Sequence, residues 1–186
     1  VQMAQGFDRD PARLKAFCAH WNVPAADSLE ALLTALPVGS VVLNLTNPGS
    51  HFEVNKACLE AGHHVYSEKP LAVSMDEAQT IHDLAQKRGL QVASAPCSVL
   101  GETAQTLGKA LRDSVAGQTR LVYAELDDGF IPQAPFQDWK SESGAPWPGE
   151  DEFRVGCTLE RCGDYIAWVT WWVGAVDRGR AGSGEW

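Results

Sequence analysis

Residues 40–70 read SVVLNLTNPGSHFEVNKACLEAGHHVYSEKP, and the order of events in that stretch decides the fold. SVVLNLT is a β-branched run with too little polar alternation for a strand wetted on one face. It predicts a strand buried on both faces. NPGS breaks it. Ser50 with Glu53 makes a capping-box pattern ahead of an amphipathic helix. The inner face of that helix is Val54, Ala57, Cys58 and Ala61, and Gly62 is its C-terminal stop. A second apolar run then leads into adjacent Glu68 and Lys69 and is halted by Pro70. Proline restricts the residue before it to extended geometry, so Lys69 is expected to project stiffly from the strand's carboxyl end.

The same grammar extends to both sides. VQMAQGF predicts a strand ending at Asp8. Asp10 then caps a helix with Pro11 at its first position. Leu14, Phe17, Cys18 and Trp21 fall on one face of that helix. A short helix follows with Leu29, Leu32, Leu33 and Leu36 on its stripe. Ser74 with Glu77 opens another, with Ala78, Ile81 and Leu84 inward and Gly89 closing it. LQVASAP is the next strand, a helix covers roughly 99–115, and TRLVYAEL is a further strand. Strands alternating with helices of this length predict an α/β protein with a Rossmann-like, doubly wound parallel sheet.

After Asp127 the pattern changes. DDGFIPQAPFQDWKSESGAPWPGEDEF reads as a long loop. One helix is expected over 158–173, with Tyr165, Ile166, Val169, Trp172 and Val173 mostly to one side, and the tail has no periodicity. The expected division is therefore 1–126 as the sheet domain and 127–186 as a linker loop plus the first helix of a second α/β domain.

Composition narrows the function. A chain of 186 residues, 45% hydrophobic and 21% charged, can bury a core. Its net charge of −9 argues against a nucleic-acid surface, which needs clustered Lys and Arg. No apolar run approaches the ~20 residues that span a bilayer. The amino terminus VQMAQGFDRD has no signal-peptide pattern. Cys18, Cys58, Cys97, Cys157 and Cys162 are scattered and odd in number. Three of them lie inside helical or strand patterns and read as small buried hydrophobes of a reducing cytosol, and Cys157 with Cys162 has no second pair to complete a metal site. A cytoplasmic protein without metal is the expectation.

In an open parallel sheet, ligands bind at the carboxyl ends of the strands. Three such ends carry unusual residues. Asp8 can accept the ribose hydroxyls of a dinucleotide, or it can simply cap the next helix. Arg9 beside it can face a 2′-phosphate, so NAD and NADP both stay open. Thr46, Asn47 and Pro48 end a strand where backbone can approach a flat ligand. His51, in the first turn of the following helix, either joins an anion site or is a solvated turn histidine. Glu68 and Lys69 form the third end, and two charges at the tip of a buried strand are hard to explain as packing.

The run from Val41 to Val92, with its strand, T-x-P-like turn plus histidine, helix, E-K-P, helix and strand, resembles the nucleotide-binding domain of the Gfo/Idh/MocA (glucose–fructose oxidoreductase, inositol dehydrogenase) family. The resemblance implies an NAD(P)-dependent oxidoreductase that passes hydride between nicotinamide and a sugar, polyol or related hydroxy compound. It implies Lys69 near the reacting oxygen, Glu68 at the nicotinamide end of the cofactor, and a homo-oligomer in the full-length form. Three departures stand out. The family's G-x-G-x-x-G turn is absent, as though the first βα unit were missing. Aligning Gly174 with the family's post-helix glycine puts Asp164 in place of a catalytic histidine and Glu160 in place of an aspartate. The family's N-R-R-F-like stretch reads PCSVLGE here. These departures motivate an alternative, a non-catalytic dinucleotide- or sugar-sensing protein of the same fold. Exposed apolar surface is expected around Trp168, Trp171 and Trp172.

Overall fold

The structure, a computed structural model, describes residues 3–125 and 163–174, with isolated positions 138, 140, 142 and 144. Cys157, Glu160, Cys162, the tail and most of the expected linker loop lie outside the described residues. The chain divides into two compact units. The first holds residues 1–95 with 128–160, and the second holds 96–127 with 161–186.

In the first unit, α1 (Pro11–Trp21) starts as the sequence predicts: the Asp10 carboxylate accepts from the Ala12 and Arg13 N–H groups, and Pro11 takes the first turn. Leu14, Phe17 and Cys18 are half-buried, but Trp21 is 44% exposed, because the stripe's last turn runs past what covers it. Capped by Ser28, α2 (Leu29–Ala35) buries Leu32 and Leu33. Three parallel strands follow, β1 (Val41–Asn44), β2 (His64–Ser67) and β3 (Val92–Ser94), in the order β1-β2-β3. The crossovers are α3 (His51–Glu60) and α4 (Met75–Arg88). Gly89, left-handed at φ 65°, ends α4 as a glycine C-cap should. This is the parallel α/β sheet of the Rossmann class.

The register sorts the inner face of the sheet into layers. Val42, Val65 and Val92 lie abreast, and two residues further on Asn44, Ser67 and Ser94 do the same. Period-two alternation puts both rows on the side packed by helices. The apolar row joins a core of Ala26, Leu32, Leu33, Cys58, Leu59, Ile81 and Ala85. Leu59 and Ile81 are wholly buried, a gain of about 1.5–3 kcal/mol each. The polar row caps that core at the carboxyl end.

Five expectations are corrected. β1 is not buried on both faces: Val41 and Leu43 are 62% and 56% exposed, since their side of this edge strand has no covering layer among the described residues. Among its described residues, 3–7, the VQMAQGF stretch shows one parallel bridge, Gly6 to Ala25, and no strand. The Ser50–Glu53 box does not form; a 3-10 turn, Pro48–Ser50, leads into α3 and leaves Ser50 helical, with no side-chain cap. The buried face of α3 is His51, Asn55, Cys58 and Leu59, rotated from the expected one, because its two polar members find partners inside. TRLVYAEL pairs with no strand among the described residues, and Leu121 and Tyr123 are 83% and 80% exposed.

The second unit contains α5 (Glu102–Arg112), shorter than the expected 99–115 and preceded by a 3-10 turn at Ser98–Leu100, and α6 (Gly163–Val173). Trp168 donates its indole N–H to Ser98 Oγ at 3.0 Å, and Trp172 donates to the Ala104 carbonyl at 3.3 Å. These bonds turn the tryptophan side of α6 onto α5. Ile166 and Val173, expected on that side, are instead 57% and 46% exposed. Of the three tryptophans, Trp171 is exposed and the other two are half-buried.

Candidate functional site at the strand ends

Beyond the polar row, β1 and β2 run into the segments carrying the expected site residues. The backbone ties the two tips together: the Glu68 N–H donates to the Asn44 carbonyl at 2.8 Å. Ser67 is held in turn by β3, through the Ala95 N–H at 2.9 Å. Glu68 and Lys69 are therefore fixed by the sheet itself, and both are half-buried. The Glu68 carboxylate accepts from the Lys69 N–H at 2.5 Å, which turns the acid back onto its own turn. The Lys69–Pro70 peptide is cis.

Thr46 is exposed, yet its hydroxyl donates to Asn44 Oδ1 at 2.7 Å and its N–H reaches the same oxygen at 3.2 Å. Asn47 is half-buried and Pro48 buried. His51 is wholly buried, with both ring nitrogens committed to main-chain carbonyls, Thr46 at 2.7 Å and Pro70 at 2.5 Å. A solvated turn histidine it is not, and its ring has no nitrogen left for a ligand.

Asp8 accepts from the Asp10 N–H at 2.8 Å and lies 4.0 Å from the Arg13 guanidinium, while Arg9 beside it is exposed. Asp8 thus serves the start of α1, with a half-exposed carboxylate still open to a donor. Asp164 belongs to the second unit, in the first turn of α6.

Thr46, His51, Glu68, Lys69 and Pro70 are thus joined by hydrogen bonds in one neighbourhood. The residues that bind it together were not singled out from the sequence: Asn44, Asn55 and Ser67. The one available signal was Asn44, an amide inside an otherwise apolar run.

A dinucleotide can be tested against these residues. Leu43 and Leu45, 56% and 64% exposed, give β1 an open apolar margin ending at Thr46, and Lys69 supplies a cation at the neighbouring tip. An apolar margin beside an amine suits a nicotinamide ring, so the residues present fit that end of the cofactor. The sequence has no G-x-G-x-x-G turn to grip a pyrophosphate. Among the described residues no His, Cys, Asp and Glu cluster could hold a metal ion, and no helix is long and apolar enough to cross a membrane.

Comparison with known proteins supplies the wider frame. A family model described as "Oxidoreductase family, NAD-binding Rossmann fold" matches residues 2–95. UDP-N-acetylglucosamine 3-dehydrogenase of Acidithiobacillus ferrooxidans is 33% identical over 133 residues, covering 72% of this chain and 40% of that protein. The scyllo-inositol 2-dehydrogenase (NADP(+)) IolW of Bacillus subtilis is 34% identical over 147 residues, covering 78% of this chain and 38% of that one. A crystal structure of a putative NADPH-dependent oxidoreductase from Desulfitobacterium hafniense superposes with a TM-score of 0.70 at 21% identity, over 94% of this chain and 48% of the other, a likeness of fold. The chain spans two fifths or less of the length of these curated relatives.

Proposed function

The chain belongs to the Gfo/Idh/MocA oxidoreductase family, and from that premise we propose that it is part of an NAD(P)-dependent oxidoreductase acting on a sugar, polyol or related hydroxy compound. The observation that carries this reading is the pinning of Lys69 at the tip of β2, one hydrogen-bonded step from the tip of β1. The cofactor, when bound, supplies the hydride acceptor or donor. Lys69 holds a proton at Nζ beside the substrate oxygen and exchanges it as carbonyl and alcohol interconvert. Glu68 and the Thr46–Pro48 backbone hold the nicotinamide end. Asp8 takes the ribose hydroxyls, and Arg9 accommodates a 2′-phosphate if NADP is the cofactor. His51 acts from beneath this surface and not as a ligand.

The relatives' printed activities, on a nucleotide sugar and an inositol, support a carbohydrate-like substrate. Residues 1–126 are read as the nucleotide-binding part and 127–186 as the start of a substrate and oligomerisation domain, in a cytoplasmic homo-oligomer. Unbridged Cys18, Cys58 and Cys97 support the compartment, and a net charge of −9 supports a partner other than nucleic acid. A second reading, a sensor that binds cofactor without turnover, draws on Asp164, an acid at the position where the family resemblance implies a histidine.

The test is NAD(P)H oxidation and NAD(P)⁺ reduction by the full-length gene product across a sugar and polyol panel. Lys69→Ala is expected to lower kcat by about 10²–10⁴ with cofactor affinity changed less than threefold. Cofactor binding with no turnover on any substrate would leave the sensor. Unchanged kcat in the variant would remove Lys69 from the chemistry.

A further inference from the structure

Beneath the turn that carries Lys69 lie four polar side chains that the proposed chemistry leaves unused. Asn44, His51, Asn55 and Ser67 are each 2% exposed or less, and they come from β1, α3 and β2. Their bonds form one connected set. Asn44 Nδ2 donates to Asn55 Oδ1 at 2.8 Å. Asn55 Nδ2 donates to Ser67 Oγ and to the Leu71 carbonyl, each at 3.2 Å. Asn44 Oδ1 receives both the hydroxyl and the N–H of Thr46. His51 spans the remaining gap, with Nε2 at 2.7 Å from the Thr46 carbonyl and Nδ1 at 2.5 Å from the Pro70 carbonyl.

The two atoms facing the ring are both carbonyl oxygens, which only accept. An imidazole N–H donates to such an oxygen, and the tautomer decides which of the two receives it. Both ring bonds go to main chain and neither to a carboxylate. Glu53 and Lys56 are on the ring's own helix, and Glu68 and Lys69 are on the turn it holds.

From this geometry we infer that His51 is a positioning residue: its ring, set between the Thr46 and Pro70 carbonyls, clamps the end of β1 to the Lys69–Pro70 turn and so fixes where the amine stands. The inference rests on Lys69 being the working group of the site. Because Pro70 follows Lys69 directly, a bond to the Pro70 carbonyl restrains the lysine's backbone without touching anything that binds there.

The test uses the 186-residue chain and needs no turnover, so its failure is distinct from failure of the enzymatic reading. In ¹⁵N-labelled protein, a His51 ring N–H is expected in slow exchange with water, held on a main-chain carbonyl. A ring N–H exchanging as fast as that of an exposed imidazole would overturn the clamp. In His51→Gln the Lys69 side-chain ε-methylene signals are expected to move toward those of a free lysine, while Ile81→Val, a core change of comparable disturbance, leaves them in place. Lys69 signals unmoved in folded His51→Gln, or moved equally in Ile81→Val, would overturn the positioning role.

Discussion

Cys58 shows how burial alone sets a side chain's chemistry. It is wholly buried on α3, and loss of hydration pushes its thiol from 9.0 up to about 11. The folded state holds the thiol neutral more firmly than the unfolded chain does. Its contribution is therefore complete below pH 9 and fades as pH rises toward 11. By pH 10.5 about 2 kcal/mol is lost on that account. Urea midpoints of the wild type are expected to fall more steeply between pH 8 and 10.5 than those of Cys58→Ala. Equal slopes would contradict it. The same scale explains what the sequence hid. His51 was read as an anion-site or solvated histidine and Asn55 was left off the inner face of its helix, but polar side chains that hydrogen-bond one another can be buried. Lys69 was legible because a proline and a strand end flank it. Its supports were not, because the bonds that join one element to another span 11 to 19 residues in sequence.

At the scale of elements, starts and stops were readable wherever a local signal acts through its own backbone. Asp10 and Ser74 cap their helices as expected, Ser28 caps α2 without having been singled out, and Gly89 closes α4. Ser50 misled because a 3-10 turn had already satisfied that end. In the second unit, α5 brings Gly108 against α6. A Cβ there would stand 2.6 Å from Trp171 Cζ3 and 2.9 Å from its Cη2, and Arg112 stacks 5.6 Å over the same ring. Alanine would gain up to about 1 kcal/mol of helix propensity. Overpacking costs about 1–3 kcal/mol, so the clash wins. Gly108→Ala is expected to destabilise by about 1 kcal/mol and to alter tryptophan emission, read in the same denaturation experiment. A more stable variant would show that the ring yields freely.

For the molecule as a whole, the parallel α/β class was legible from alternation alone, since strand and helix periods differ. Burial of β1 was not, because a sheet face is covered by whatever packs on it and a run of valines reads alike whether covered or bare. The same gap bears on ligand affinity. With a nicotinamide end but no glycine-rich turn, the 186-residue chain is expected to bind NADH weakly or not at all in a fluorescence titration, whereas tight binding would show that other residues hold the phosphates.

Val41, Leu43 and Leu45 line a bare rim whose main chain has β2 on one side alone among the described residues. Such a rim is a template onto which nascent copies can stack during synthesis, and inclusion bodies on overexpression are the expected outcome. A gatekeeper charge, Leu43→Lys, should raise the soluble fraction on overexpression, measured by comparing supernatant and pellet; no gain would mean the stacking starts elsewhere.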